Sequence, residues 1–174
     1  MRPCSAPAMA GTAVVVMGTS GSGKTALALR LAEALGVPFA EADDLHSPEA
    51  VARMAAGIPL TDEDRWPWLA RLRDWIAEHA PAEGAVLTCS ALKRSYRDLL
   101  SGAPVRVRFL HLTAPEDLVR SRMAARTHFM PPALLASQVA TLEPLQPDED
   151  GVVLINDASL DVLVDRALRA LAAG

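Results

Sequence analysis

Chemistry is concentrated in one run, Gly18-Thr19-Ser20-Gly21-Ser22-Gly23-Lys24-Thr25, which fits the pattern G-x-x-x-x-G-K-[ST]. Glycines at these places let the backbone curl until successive N–H groups face one centre, where a polyphosphate sits. A helix opening behind the loop adds partial positive charge at its N-terminus. Lys24 then reaches the β- and γ-phosphates, and the Thr25 hydroxyl is a Mg²⁺ ligand. ATP and Mg²⁺ are therefore the expected cofactors. The flanks agree. Val14–Met17 is a short apolar run suited to a strand buried on both faces. From Thr25, Leu27, Leu31 and Leu35 recur at helical spacing until Gly36 stops the helix.

Such a loop serves GTPases and motor ATPases as well as kinases of small metabolites. The first two usually carry an acid at the end of a third apolar strand to hold the metal. Here that strand, Ala85-Val86-Leu87-Thr88-Cys89-Ser90, has none; the nearest strand-end acids are Asp43 and Asp44, after the second. A short chain with this arrangement resembles the small-metabolite kinases.

The elements that must position these groups alternate along the chain. Further strands are expected at Val37–Ala42, Ala85–Cys89, Val105–Leu112 and Val152–Ile155. Helices are expected over Pro48–Ala56, from Asp64 or a neighbour to about His79, and from about Pro115 to Ala125. Two more run to about Leu142 and over Leu160–Leu171, and Pro144–Gly151 is an acidic loop. Alternation of this kind gives one α/β domain, residues 12–174, with helices on both faces of a five-stranded parallel sheet. Residues 1–11, with Pro3 and Pro7 and no periodicity, are expected to be a disordered tail.

Bulk composition narrows the partners. With 51% hydrophobic and 22% charged residues the chain is an ordinary globular protein, and a formal charge of −4 argues against a nucleic-acid binder, which would normally carry a basic face. Cys4 and Cys89 are far apart and need no oxidising compartment; they are expected to be a tail thiol and a buried strand thiol. The apolar runs are far shorter than the roughly 20 residues of a membrane span. The one following Arg2 leads directly into the glycine-rich loop, unlike a signal peptide. A cytoplasmic protein with no membrane partner is expected.

Three further segments carry a specific resemblance. They are Asp43-Asp44-Leu45-His46 with Gly57–Leu69, Cys89–Arg94 with Tyr96–Leu100, and His128-Phe129-Met130-Pro131-Pro132 with Ser137-Gln138 and Thr141–Pro144. Together with the loop at Gly18 they resemble the gluconokinase family, in that family's order and over most of the chain. Shikimate kinases share the architecture but carry three glycines after strand three, where this chain has Cys-Ser-Ala-Leu-Lys. The resemblance implies a P-loop kinase fold with strand order 2-3-1-4-5, a helical lid at about 122–135, a homodimer, and ATP-dependent phosphorylation of D-gluconate to 6-phospho-D-gluconate. The alternatives are a kinase of another small hydroxylated acid, shikimate among them, and a nucleotide-binding module without catalysis.

A sugar acid offers a carboxylate, a row of hydroxyls and a terminal alcohol. Arg65, Lys93 and Arg97 are the candidate cations for the carboxylate. Asp43 and His46 suit the hydroxyls, and the resemblance adds His128. Asp43 is the choice for orienting the acceptor alcohol and taking its proton, the alternative being to hold a Mg²⁺-bound water. Arg122 and Arg126, four apart on one helix face, are candidates to neutralise the transferring phosphoryl group or else form a solvated basic face. Only Thr127 separates Arg126 from His128, one residue fewer than is usual in related chains. Structural alternatives stand beside the rest. His46, Asp62 and Asp64 could cap helices, Arg65 could pair with Asp62, and Trp66, Trp68, Trp75 and Tyr96 could simply pack.

Overall fold

The computed structural model describes residues 7–19, 21–115, 117–118 and 132–174. β1 (Thr12–Met17) lies at the centre of a parallel sheet, between β3 (Ala85–Thr88) and β4 (Arg106–Thr113). β2 (Phe39–Glu41) and β5 (Gly151–Ile155) complete the order β2-β3-β1-β4-β5, as expected. The register pairs Val16 with Thr88 and with Leu110, and Glu41 with Thr88, so the carboxyl ends of the inner strands and β2 form one edge.

Strand side chains alternate between faces, and each face has its own core. Ala13, Val15, Met17, Leu87 and Phe109 pack with Leu69, Leu72 and Ile76 of α3 (Asp62–Glu83) and with Tyr96 and Leu100 of α4 (Arg94–Leu100). Val14, Val16, Val86 and Leu110 pack on the other side. Their partners are Leu27 and Leu31 of α1 (Lys24–Leu35) and Leu163, Ala167 and Leu171 of α6 (Leu160–Ala173). Burial on both faces is why the inner strands are continuously apolar. α2 (Pro48–Ala55) and α5 (Pro132–Thr141) complete the described helices.

Several expectations are corrected. α3 opens earlier than Asp64, at a capping box that Thr61 and Asp64 share: the Thr61 hydroxyl accepts from the Asp64 N–H at 3.2 Å while the Asp64 carboxylate accepts from the Thr61 N–H at 2.9 Å. α3 then continues through Pro67 and Pro81 beyond His79. α4 and a 3-10 turn at Ala42–Leu45 were not expected. The N-terminal tail is shorter than expected, because Met9 is buried in the second core and the Gly11 N–H bonds the Ala80 carbonyl at 2.9 Å. The expected lid, with Arg122, Arg126 and His128, falls largely outside the described residues, as does most of the helix expected from Pro115.

Candidate active site

The loop between β1 and α1 depends on its glycines. Gly18 has φ 145°, and a Cβ there would stand 2.5 Å from the Leu112 carbonyl oxygen of β4. Gly23, which caps α1, has φ 100°. Lys24 Nζ donates to the carbonyls of Gly18 at 2.8 Å and Thr19 at 3.1 Å, spanning the loop it is expected to serve. From beyond β5, buried Asn156 donates its amide N–H to the Ser22 carbonyl at 2.8 Å. Ser20 lies outside the described residues.

Thr25 is tied to the end of β2. Its hydroxyl donates to Glu41 Oε2 at 2.9 Å, and the Thr88 hydroxyl donates to Glu41 Oε1 at 2.6 Å. Holding a Mg²⁺-bound water was the alternative role for Asp43, but the carboxylate bonded to the proposed Mg²⁺ ligand Thr25 is that of Glu41. The sequence holds a signal: Glu41 is the one acid inside the stretch Val37–Ala42 expected as the second strand, and β2 ends on it, before Asp43 and Asp44.

Asp43 lies in the 3-10 turn and His46 directly follows it, and α3 clamps the turn. Trp68 Nε1 donates to the Ala42 carbonyl at 2.8 Å, and Arg71 Nε donates to that of Leu45 at 3.1 Å. The His46 ring stacks on Trp68, with centroids 4.0 Å apart, and Nε2 lies 3.9 Å from Asp43 Oδ1. Helix α2 is capped by Ser47, leaving His46 for other work. Burial, then Arg65 and Arg71, push the His46 imidazole down to about 4. At neutral pH it is therefore uncharged, with one nitrogen able to donate and the other to accept. His46 Nδ1 and Arg65 Nε are both buried without a hydrogen-bond partner. Buried orphans of this kind are rare in native folds and call for an explanation, such as a bound ligand. Burial pushes the Cys89 thiol up to about 12, so at neutral pH it stays protonated and inert.

Beyond Arg65 a cleft of about 310 Å³ opens between the start of α3, the loop before α4, and α5. Arg65, Lys93 and Tyr96 line it, with Ser137 and Thr141 opposite on α5. Lys93 Nζ lies 3.1 and 3.2 Å from the two oxygens of Asp62, and the Tyr96 hydroxyl donates to Asp62 at 2.5 Å. Asp62 therefore serves the cleft and does not cap the helix. Nothing in the sequence spacing alone joins residues 62 and 96.

Arg97 is corrected from the carboxylate set. Its side chain is buried and paired with buried Glu149, Nε to Oε1 at 2.6 Å and Nη2 to Oε2 at 3.1 Å. Nη1 donates to the Ala91 carbonyl at 2.9 Å, beside the strained φ of 46° at Ala91. The acidic loop gives each of three consecutive carboxylates an arginine. Asp148 takes Arg94, Glu149 takes Arg97, and Asp150 takes Arg106.

A parallel sheet in this order, with the glycine loop between β1 and α1 and its threonine on a strand-end carboxylate, defines a P-loop kinase. A family model described as an AAA domain matches residues 14–145. The gluconokinase of Gluconobacter oxydans (strain 621H) is 47% identical over 158 residues, covering 90% of this chain and 89% of that protein. A sugar kinase from Janibacter sp. HTCC2649 superposes with TM-score 0.88 at 53% identity, over 92% of this chain and 94% of its own. A gluconokinase from Sinorhizobium meliloti 1021 gives 0.84 at 45%, over 94% and 93%. The chain belongs to the gluconokinase family.

Proposed function

We propose that the protein is a gluconokinase that transfers the γ-phosphoryl group of ATP to the terminal hydroxyl of D-gluconate, giving 6-phospho-D-gluconate and ADP. The observation that carries this reading is the clamped turn. Trp68 and Arg71 fix Asp43 and an uncharged His46 at the sheet edge, next to an Arg65 that has a buried donor unmet.

In this reading gluconate extends from the phosphate loop towards α5. Its carboxylate lies at Arg65 and Lys93, and its hydroxyls meet His46. The Asp43 carboxylate accepts the proton of the terminal hydroxyl as that oxygen bonds to phosphorus and the bond from phosphorus to the departing ADP oxygen breaks. The transition state is loose, so positioning and charge matter more than base strength. Lys24 follows the charge on the phosphates, Arg122 and Arg126 neutralise charge on the transferring group, and His128 binds the substrate. Mg²⁺ fits the Thr25 hydroxyl backed by Glu41; when bound it neutralises charge on the phosphate oxygens. The protein works as a homodimer in the cytoplasm, and light scattering on the purified protein tests the dimer.

The direct test couples 6-phosphogluconate formation to an NADP-linked dehydrogenase, with shikimate and other sugar acids assayed for ADP release. Gluconate-dependent turnover should fall about a thousandfold in Lys24→Ala and about a hundredfold in Asp43→Asn. Glu41→Gln should raise the Mg²⁺ concentration needed about tenfold. ADP release with another acceptor and none with gluconate refutes the substrate. Unaltered turnover in Asp43→Asn refutes the base.

A further inference from the structure

Arg65 and Lys93 lie 5.5 and 5.7 Å from the centroid of the Tyr96 ring. Two basic side chains around one ring suit a phosphate group, with its three oxygens and up to two charges. Asp62 makes this cleft different. It holds Lys93 through both oxygens and receives the Tyr96 hydroxyl, and these bonds keep its carboxyl below the usual range and ionised. Glu63 adds a second carboxylate to the lining, and Asp64 is turned away onto Thr61 and Arg53. An entering anion therefore meets Arg65 and the remaining N–H of Lys93, with a fixed negative charge beside them.

We propose that Asp62 is a specificity-determining residue that sets the Arg65–Lys93 cleft for a carboxylate and turns away acceptors bearing a phosphate at the same end. A single carboxylate satisfies the donors left by Asp62, whereas a phosphate dianion places its additional charge against the Asp62 carboxylate. The inference rests on the reading above that gluconate's carboxylate lies at this end of the cleft.

Calorimetric titration separates the two ideas because it needs no phosphoryl transfer. The ligands are D-gluconate and D-glucitol 1-phosphate, which has the same six-carbon chain with a phosphate ester on C1 where gluconate has its carboxylate. Wild type, Asp62→Asn and Asp62→Glu are compared at pH 8. Asn keeps an oxygen for Tyr96 and Lys93 but no charge. It should shift the ratio of dissociation constants about tenfold towards the phosphate, and less in high salt. Asp62→Glu should keep the preference for gluconate. If the Asn variant no longer binds ATP, Asp62→Ser replaces it under the same criterion. A ratio that does not move, or an equal weakening of both ligands, overturns the proposal. Gluconate that binds wild type without being phosphorylated refutes the activity and leaves the Asp62 test standing. Gluconate that binds no variant refutes the carboxylate site and the role of Asp62 together.

Discussion

The donor and acceptor ends of this site are built by opposite means. The ATP end is a contiguous stretch of backbone, Gly18 to Thr25, shaped by glycine conformations and fixed from outside by Asn156 and Glu41. The acceptor end is made of side chains from the 3-10 turn, α3, the loop before α4, and α5. Few of its groups are neighbours in sequence. A backbone site tolerates change in most side chains but little at its glycines. A side-chain site depends on the struts that hold distant segments together.

The largest test of that contrast is the strut. Arg97→Met leaves Glu149 buried without its partner and should cost about 3–5 kcal/mol in chemical denaturation. Under native conditions gluconate KM should rise while ATP affinity holds; loss of both in parallel would break the distinction. At the donor end, Gly18→Ala combines a left-handed φ with a Cβ 2.5 Å from a backbone oxygen. ATP binding by calorimetry should weaken about a hundredfold, with the acceptor cleft intact.

A third prediction concerns pH. His46 is pushed down to about 4 in the fold, against 6.5 for a solvent-exposed imidazole. Between those values the unfolded chain binds the extra proton, so stability is full above about pH 6.5 and declines towards pH 4. The loss should be about 2 kcal/mol between pH 7 and 4.5, measured by urea melts, and His46→Gln should flatten that slope. An equally steep slope in the variant would assign the acid sensitivity elsewhere. The smallest effect is that of Trp68→Phe. It keeps a ring under His46 and loses one N–H···O bond, costing about 1 kcal/mol. Gluconate KM should rise severalfold, with the Mg²⁺ requirement unchanged.

The same division decides how much the sequence could tell. β1, the loop and α1 were legible because their chemistry is contiguous and their periodicity unbroken, and the strand order followed from the family resemblance. Asp43 and His46 were legible as residue types, but the indole and guanidinium that aim them come from residues 68 and 71. Arg97 was misread because an arginine suggests a ligand. Its spacing held a clue, since buried Tyr96 and Leu100 place it on the inward face of α4. Its partner, 52 positions away, could not be read from local pattern. Asp62 looked like a cap because the first turn of a helix favours acids, and only the fold brings Lys93 and Tyr96 to it.

The ties supplied by Glu149 and Asn156 also bear on how the protein is made. Synthesis runs from the amino end, so a growing chain displays the glycine loop and the 3-10 turn long before it reaches residues 149–156. Until then the Ser22 carbonyl lacks its amide donor and Arg97 has no carboxylate to draw it inward. Both ends of the catalytic cleft thus wait for the same late segment. A ribosome-bound fragment that stops short of it carries the phosphate-loop sequence without the supports that complete the site.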